Sequence, residues 1–289
     1  MNKTKILLAG TPEFSVPIFE EVIKNFDVVG IVSQPDKPAN RGYALLPTPT
    51  KLLAQKYNIR LFQPEKIGQI YDELKELDFD ILLTCAFGQY VPEKVLALPK
   101  LASINIHGSL LPKYRGAAPI QYSLLYGDKE TGLSLMYMTK QMDAGNIIKM
   151  VSIPIEDTDT SDTLFVKLSK LATENITKWL VDYVKGDFEE IVQDEDKVIL
   201  SPKLLKEDAL LTSDLTVEQA FNKIRAFSSN PGAYVILDNK RVKIYYATKH
   251  KVANGLPLQF TDGKLWAVDY QFETKKRVKL NYYKLGQVL

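Results

Sequence analysis

A chain of 289 residues, 45% apolar and 25% charged, suits one large globular domain or two ordinary ones and can bury a sizeable core. No apolar run approaches the ~20 residues that span a bilayer, and Met1-Asn2-Lys3-Thr4-Lys5 leads into a short strand instead of a signal peptide's apolar core; no membrane partner is expected and the chain reads as cytoplasmic. The formal charge of +2 hides an asymmetry: Lys203–Leu289 holds 15 Lys and Arg against 8 Asp and Glu, leaving 22 against 27 in the rest. A basic block on an acidic body points to a polyanionic partner for that block.

In chain order, Lys5–Ala9 reads as a buried strand, Val16–Phe26 as a helix and Val28–Val32 as a second strand. A β-α-β opening predicts a Rossmann-like, doubly wound, mostly parallel sheet with its site at the carboxyl ends of the strands. Only Gly10 marks the first turn, so the G-x-G-x-x-G dinucleotide fingerprint is absent and a nicotinamide or flavin cofactor is disfavoured. Gln34–Pro49 is a long loop with four prolines, and loops of that length in compact domains are usually functional or disordered. Helices are expected at Thr50–Tyr57 and Ile67–Leu77, and a third buried strand at Phe79–Thr84. The lone cysteine, Cys85, in an apolar neighbourhood, reads as a buried strand thiol; it excludes an intramolecular disulfide and a cysteine-built zinc site. Phe87-Gly88-Gln89-Tyr90-Val91 then leaves the strand, with a glycine between two rings, a loop able to meet a flat heterocycle with backbone groups.

Ile104-Asn105-Ile106-His107-Gly108-Ser109 is the organising stretch. It begins as a strand, so Asn105 and His107 share one face and Ile104 and Ile106 the other. A carboxamide and an imidazole side by side at a strand end can both hydrogen-bond one polarised carbonyl. His107 is one of two histidines in the chain, so acid–base work near neutral pH has few other candidates. Helix Ala118–Tyr126 follows, then strands Leu133–Thr139 and Asn146–Ile155 around a loop holding Asp143. Ser161–Val184 is a long amphipathic helix with Leu164, Leu168, Leu171, Ile176 and Leu180 on one face.

Residues 1–188 are thus expected as the catalytic domain, 189–205 as a charged linker, and 206–289 as a basic second domain. The last comprises helix Thr216–Ser228 and five short strands (Tyr234–Leu237, Val242–Ala247, Leu258–Phe260, Leu265–Ala267, Lys276–Leu280) separated by turns such as Asp238-Asn239. Five short strands with a basic surface fit a small barrel of the OB type, a fold that often binds nucleic acid.

Asn-x-His, Gly-Ser-Leu-Leu-Pro, Arg-Gly-Ala-Ala-Pro-Ile-Gln and Met-Asp-Ala-Gly, in that order from residue 105 to residue 145, form long and specific motifs. The chain resembles the folate-dependent formyltransferases over about Lys5 to Val252. That resemblance implies 10-formyltetrahydrofolate as formyl donor and co-substrate, no metal, and Asn105, His107 and Asp143 as the catalytic group. Asn105 would serve the developing oxyanion; which of His107 and Asp143 takes the amine proton stays open. It further implies a folate pocket lined by Phe87, Gly88, Gln89, Tyr90 and Val91 and by Ser109, Leu110, Leu111 and Pro112. The Gln34–Pro49 loop would meet a tRNA acceptor stem through Arg41, with Lys37 as a second cation. Tyr43 and Ala44 stand where that family usually has lysines, a departure that bears on the strength of the contact.

The basic second domain favours the α-amino group of initiator methionyl-tRNA as acceptor, with the protein acting as a monomer in translation initiation. The alternative is the amine of a sugar nucleotide, which needs no such domain. A glycinamide-ribonucleotide acceptor fits a chain ending near residue 200, and a non-catalytic RNA-binding protein would leave Asn105, His107 and Asp143 without a purpose.

Overall fold

The computed structural model describes residues 4–38 and 45–280. Its elements begin with β1 (Lys5–Ala9), α1 (Val16–Asn25) and β2 (Asp27–Val32), then a two-residue pair, β3 (Lys37–Pro38) and β4 (Leu45–Leu46). α2 (Pro49–Lys56), β5 (Leu61–Phe62), α3 (Tyr71–Lys75), β6 (Ile81–Cys85), α4 (Glu93–Leu96) and β7 (Ala102–His107) follow. Next come β8 (Lys113–Gly116), α5 (Pro119–Leu125), β9 (Glu130–Tyr137), β10 (Ile147–Pro154), α6 (Ser161–Lys185) and β11 (Ile199–Ser201). The remainder is α7 (Val217–Phe227), β12 (Ala233–Leu237), β13 (Lys240–Thr248), β14 (Leu256–Phe260), β15 (Gly263–Phe272) and β16 (Val278–Lys279).

The chain divides into two compact units, neither continuous in sequence. One comprises Met1–Arg115, Gly132–Ser152 and Val166–Leu200; the other comprises Gly116–Thr131, Ile153–Phe165 and Ser201–Leu289.

The first unit is built on a seven-stranded sheet in the order β10-β9-β7-β6-β1-β2-β5. Neighbours from β5 across to β7 run parallel, and β9 is antiparallel to β7. β1 and β6 carry the apolar runs 6–9 and 81–83 because both faces of a central parallel strand are covered; Ile6, Leu7, Leu8, Ile81, Leu82 and Leu83 are all fully buried. The chain first moves outward from β1 to β2 and β5, then returns to lay β6 on β1's other side. The strand order therefore reverses between β1 and β6, and a crevice at their carboxyl ends is where ligands bind in such sheets. Cys85 closes β6 fully buried, and desolvation pushes its thiol up to about 12, which leaves it unreactive.

Ile67–Leu77, expected as one helix, is a 3-10 turn (Ile67–Ile70) running into α3. The Gln89 side chain takes the Ile67 N–H at 2.8 Å and pins that turn. On α6, Leu164, Leu168, Ile176 and Leu180 are buried as the periodicity predicts, but Ala172 and Trp179 complete the stripe and Leu171 sits only half in.

In the second unit, Thr216 caps α7 through a reciprocal pair of bonds with Gln219, a capping box. Five antiparallel strands form an OB-like curled sheet in the order β12-β13-β15-β14, with β16 on β15. Asp238 and Asn239 both take left-handed φ (47° and 59°), the backbone of the tight two-residue turn that β12 and β13 require. Part of the basic charge is used inside this sheet. Arg277 forks onto the buried Asp269 (2.8 Å from Nη2) and stacks 3.8 Å from the Tyr245 ring; Arg241 lies 3.7 Å from the ring of Tyr234. Among the described residues, no helix is long and apolar enough to cross a membrane.

Candidate active site

Asn105 and His107 project from the carboxyl-terminal half of β7, where the sheet changes from parallel to antiparallel neighbours. Thr84 of β6 lies opposite Asn105, and its hydroxyl donates to Asn105 Oδ1 at 2.7 Å. An amide whose oxygen is held in this way keeps its Nδ2 hydrogens as donors directed elsewhere. Thr84 went unremarked in the sequence, although one polar residue in Ile-Leu-Leu-Thr-Cys is the signal that marks it.

His107 is buried, 5% exposed, and its Nε2 lies 2.8 Å from the carbonyl oxygen of Tyr114. A carbonyl only accepts, so Nε2 carries the hydrogen; the tautomer is assigned from that partner. The neutral ring then has its lone pair on Nδ1, which faces Asp143 Oδ2 at 3.6 Å. Asp143 takes a left-handed φ of 53° in the loop between β9 and β10. A carboxylate and an imidazole lone pair thus converge as two acceptors, complementary to a group with two or more N–H donors. An amine is such a group.

The other anticipated residues divide. Ser109 is fully buried and its hydroxyl donates to the Lys113 carbonyl at 2.6 Å, while Leu111 belongs to an apolar cluster with Met136 and Ile147. Both shape the turn from within. Leu110 and Pro112 are half-buried, and Ser134 ties the turn to β9 by accepting from Leu111 N (3.1 Å) and donating to Ser109 O (2.7 Å). After β6, Phe87 and Val91 join the core cluster around Leu7 and Leu82, whereas Gly88 and Tyr90 are exposed. Gln89 spends its side chain on Pro64 O (2.9 Å) and Ile67 N. Gly88 has φ +75°, and a Cβ there would meet Gln34 Nε2 at 2.5 Å. Gln34 thus packs directly on the Gly88 backbone, at the exposed loop that leaves the carboxyl end of β6.

Lys37 donates to Gln34 Oε1 at 3.0 Å, and Gln34 Nε2 in turn donates to Phe87 O at 3.0 Å, so this cation belongs to the same rim. Arg41, Tyr43 and Ala44 lie outside the described residues. Flanking them, Asp36 pairs with Lys51, accepts from Gln63 (2.8 Å) and meets Thr48 N. The Lys51 ammonium, followed by Gln63, holds the Asp36 carboxyl below the usual range.

Residues 3–180 match the family model described as "Formyl transferase", and residues 203–287 match "Formyl transferase, C-terminal domain". A protein of Mycoplasmopsis pulmonis named methionyl-tRNA formyltransferase is 61% identical over 279 residues, 96% of each chain. Among solved structures, an N-formyltransferase of Helicobacter canadensis in complex with folinic acid and dTDP-3-aminofucose has a TM-score of 0.69 at 20% identity, over 92% of this chain and 99% of that one. HypX of Aquifex aeolicus in complex with tetrahydrofolic acid has a TM-score of 0.66 at 17% identity; the match covers 97% of this chain but 46% of HypX. Likeness at such identities shows the shared fold.

Proposed function

The chain belongs to the formyl transferase family, and from that premise we propose that it transfers the formyl group of 10-formyltetrahydrofolate to the α-amino group of initiator methionyl-tRNA. The observation that carries this reading at the site is the pair of acceptors, His107 Nδ1 and Asp143 Oδ2, 3.6 Å apart. In the reaction a C–N bond forms to the amine, the C–N bond to the donor breaks, and the amine gives up a proton. Asn105 Nδ2 donates to the formyl oxygen as it gains negative charge. His107 Nδ1 takes the amine proton, Asp143 faces the imidazolium that results, and that proton passes to the donor's nitrogen as its bond to the formyl carbon breaks. Tyr114 O keeps the opposite ring nitrogen protonated throughout, so the ring enters each cycle with the same lone pair directed at Asp143.

Gly88, Tyr90, Leu110 and Pro112 offer the pterin an apolar wall with exposed backbone, while Phe87, Gln89, Val91, Ser109 and Leu111 keep that wall's shape. Lys37 and Arg41 serve the acceptor stem, and the basic residues of 206–289 serve tRNA phosphates. The protein works as a monomer in the cytoplasm and uses no metal in this reading.

Arg41 gives a specific test. It is the sole arginine of Gln34–Pro49, and the lysines usual beside it are replaced by Tyr43 and Ala44. Arg41→Ala is expected to lower kcat/KM for methionyl-tRNA by roughly 1–3 kcal/mol, the scale of one lost specific nucleic-acid contact. Unchanged kcat/KM would remove the loop from the tRNA interface. Loss of binding to formyl-folate as well would move Arg41 to the donor site.

A further inference from the structure

We propose that Gln193, held by Arg115, is a positioning residue that fixes Asp143 against His107; this rests on the role given to Asp143 above. Gln193 lies in the stretch 189–205, expected as a linker. Its neighbours Ile191, Val192 and Asp194 are exposed, yet Gln193 is 5% exposed. A polar side chain that buries itself in an otherwise solvated segment has partners, and Gln193 uses its full set of donors. One Nε2 hydrogen goes to Asp143 O at 2.8 Å and the other to Gly145 O at 2.7 Å, while Oε1 accepts from Arg115 Nε at 2.9 Å. The amide has only one orientation, because a flip would set its oxygen against two carbonyl oxygens. Arg115, itself 3% exposed, is held by Glu195 through both Nη atoms (3.1 and 2.7 Å). Ile147 and Ile191 exchange mutual backbone bonds of 2.8 and 2.9 Å, which seats the segment beside the start of β10.

The loop needs such a brace. Asp143 takes a left-handed backbone that is strained for a non-glycine residue and persists only when its surroundings impose it. Gln193 grips the carbonyls of Asp143 and Gly145, on either side of Ala144. Arg115 directly follows Tyr114, whose carbonyl sets the His107 tautomer. Two consecutive residues therefore govern both members of the pair: Tyr114 through its backbone, and Arg115 through Gln193.

Kinetics on the full chain test this. Gln193→Glu keeps the size and the Arg115 partner but replaces two donors with an acceptor. It is expected to lower kcat tenfold to a hundredfold with KM for methionyl-tRNA within about twofold, since a displacement near 1 Å at a reacting group costs about that much. Gln193→Met, which keeps the volume and drops all three bonds, should show the same split, and it carries the test if the glutamate variant does not unfold cooperatively on heating. In an Asp143→Ala background, followed by single-turnover assay with excess enzyme, either Gln193 change should alter the rate less than about twofold, because residues that act through one another are not additive. A Gln193 variant as fast as the parent, or one that multiplies the Asp143→Ala loss by its full factor, would overturn the positioning role alone. Full activity of Asp143→Ala would overturn the role of Asp143 and, with it, that of Gln193.

Discussion

His107→Ala and Asn105→Ala should each lower kcat for formyl transfer by about 10²–10³, while KM for methionyl-tRNA and for the formyl donor stays within a few-fold. The expectation follows from what each side chain has left to offer. Asn105 has its oxygen committed to Thr84, so its amide donors remain for the formyl oxygen, whose charge grows only as the new bond forms. His107 has Nε2 committed to Tyr114, so Nδ1 remains for a proton that leaves the amine only along the reaction path. Interactions strengthened mainly in the transition state appear in kcat when removed. A raised KM with unchanged kcat in both variants would reassign this face of β7 to substrate binding.

Gly145→Ala is expected to damage stability as well as turnover. A Cβ at that position would stand 2.0 Å from Tyr137 O and 2.8 Å from its carbonyl carbon, both backbone atoms at the end of β9. The obstacle cannot swing aside: Tyr137 N donates to Asn146 O at 3.0 Å, and Tyr137 pairs with Ile104 of β7. The turn must therefore move as a body, carrying the Gly145 carbonyl away from Gln193 and the Asp143 carboxylate away from His107. Overpacking of this kind typically costs 1–3 kcal/mol, and about 3 or more against fixed backbone. Thermal unfolding should show a lowered Tm and assays a kcat reduced by more than about 10², the penalty expected for a displaced reacting group. A variant with parental Tm and kcat would show that the turn yields freely.

Much of the fold was legible because its signals are local. Apolar runs marked β1 and β6, the spacing of leucines marked α6, and Asp238-Asn239 marked a turn between strands. The Asn-x-His pair was legible for the same reason, since strand alternation alone puts both side chains on one face. The supports of the site were not. Tyr114 acts through a carbonyl, which every residue type possesses, so its identity carries no trace of the task. Gln193 meets Asp143 across fifty positions of sequence, in a stretch whose charged neighbours read as a solvated connection. Ser109 and Phe87 look like ligand contacts in a motif, but burial turns one hydroxyl and one ring inward to hold the loops that carry the exposed groups.

Transfer of a radiolabelled formyl group from 10-formyltetrahydrofolate tests the account most directly, with methionyl initiator tRNA and a dTDP-linked amino sugar offered to the purified protein in parallel. The account predicts multiple turnovers of formyl-methionyl-tRNA and no labelled sugar above background. Labelled sugar nucleotide without formylated tRNA would contradict it.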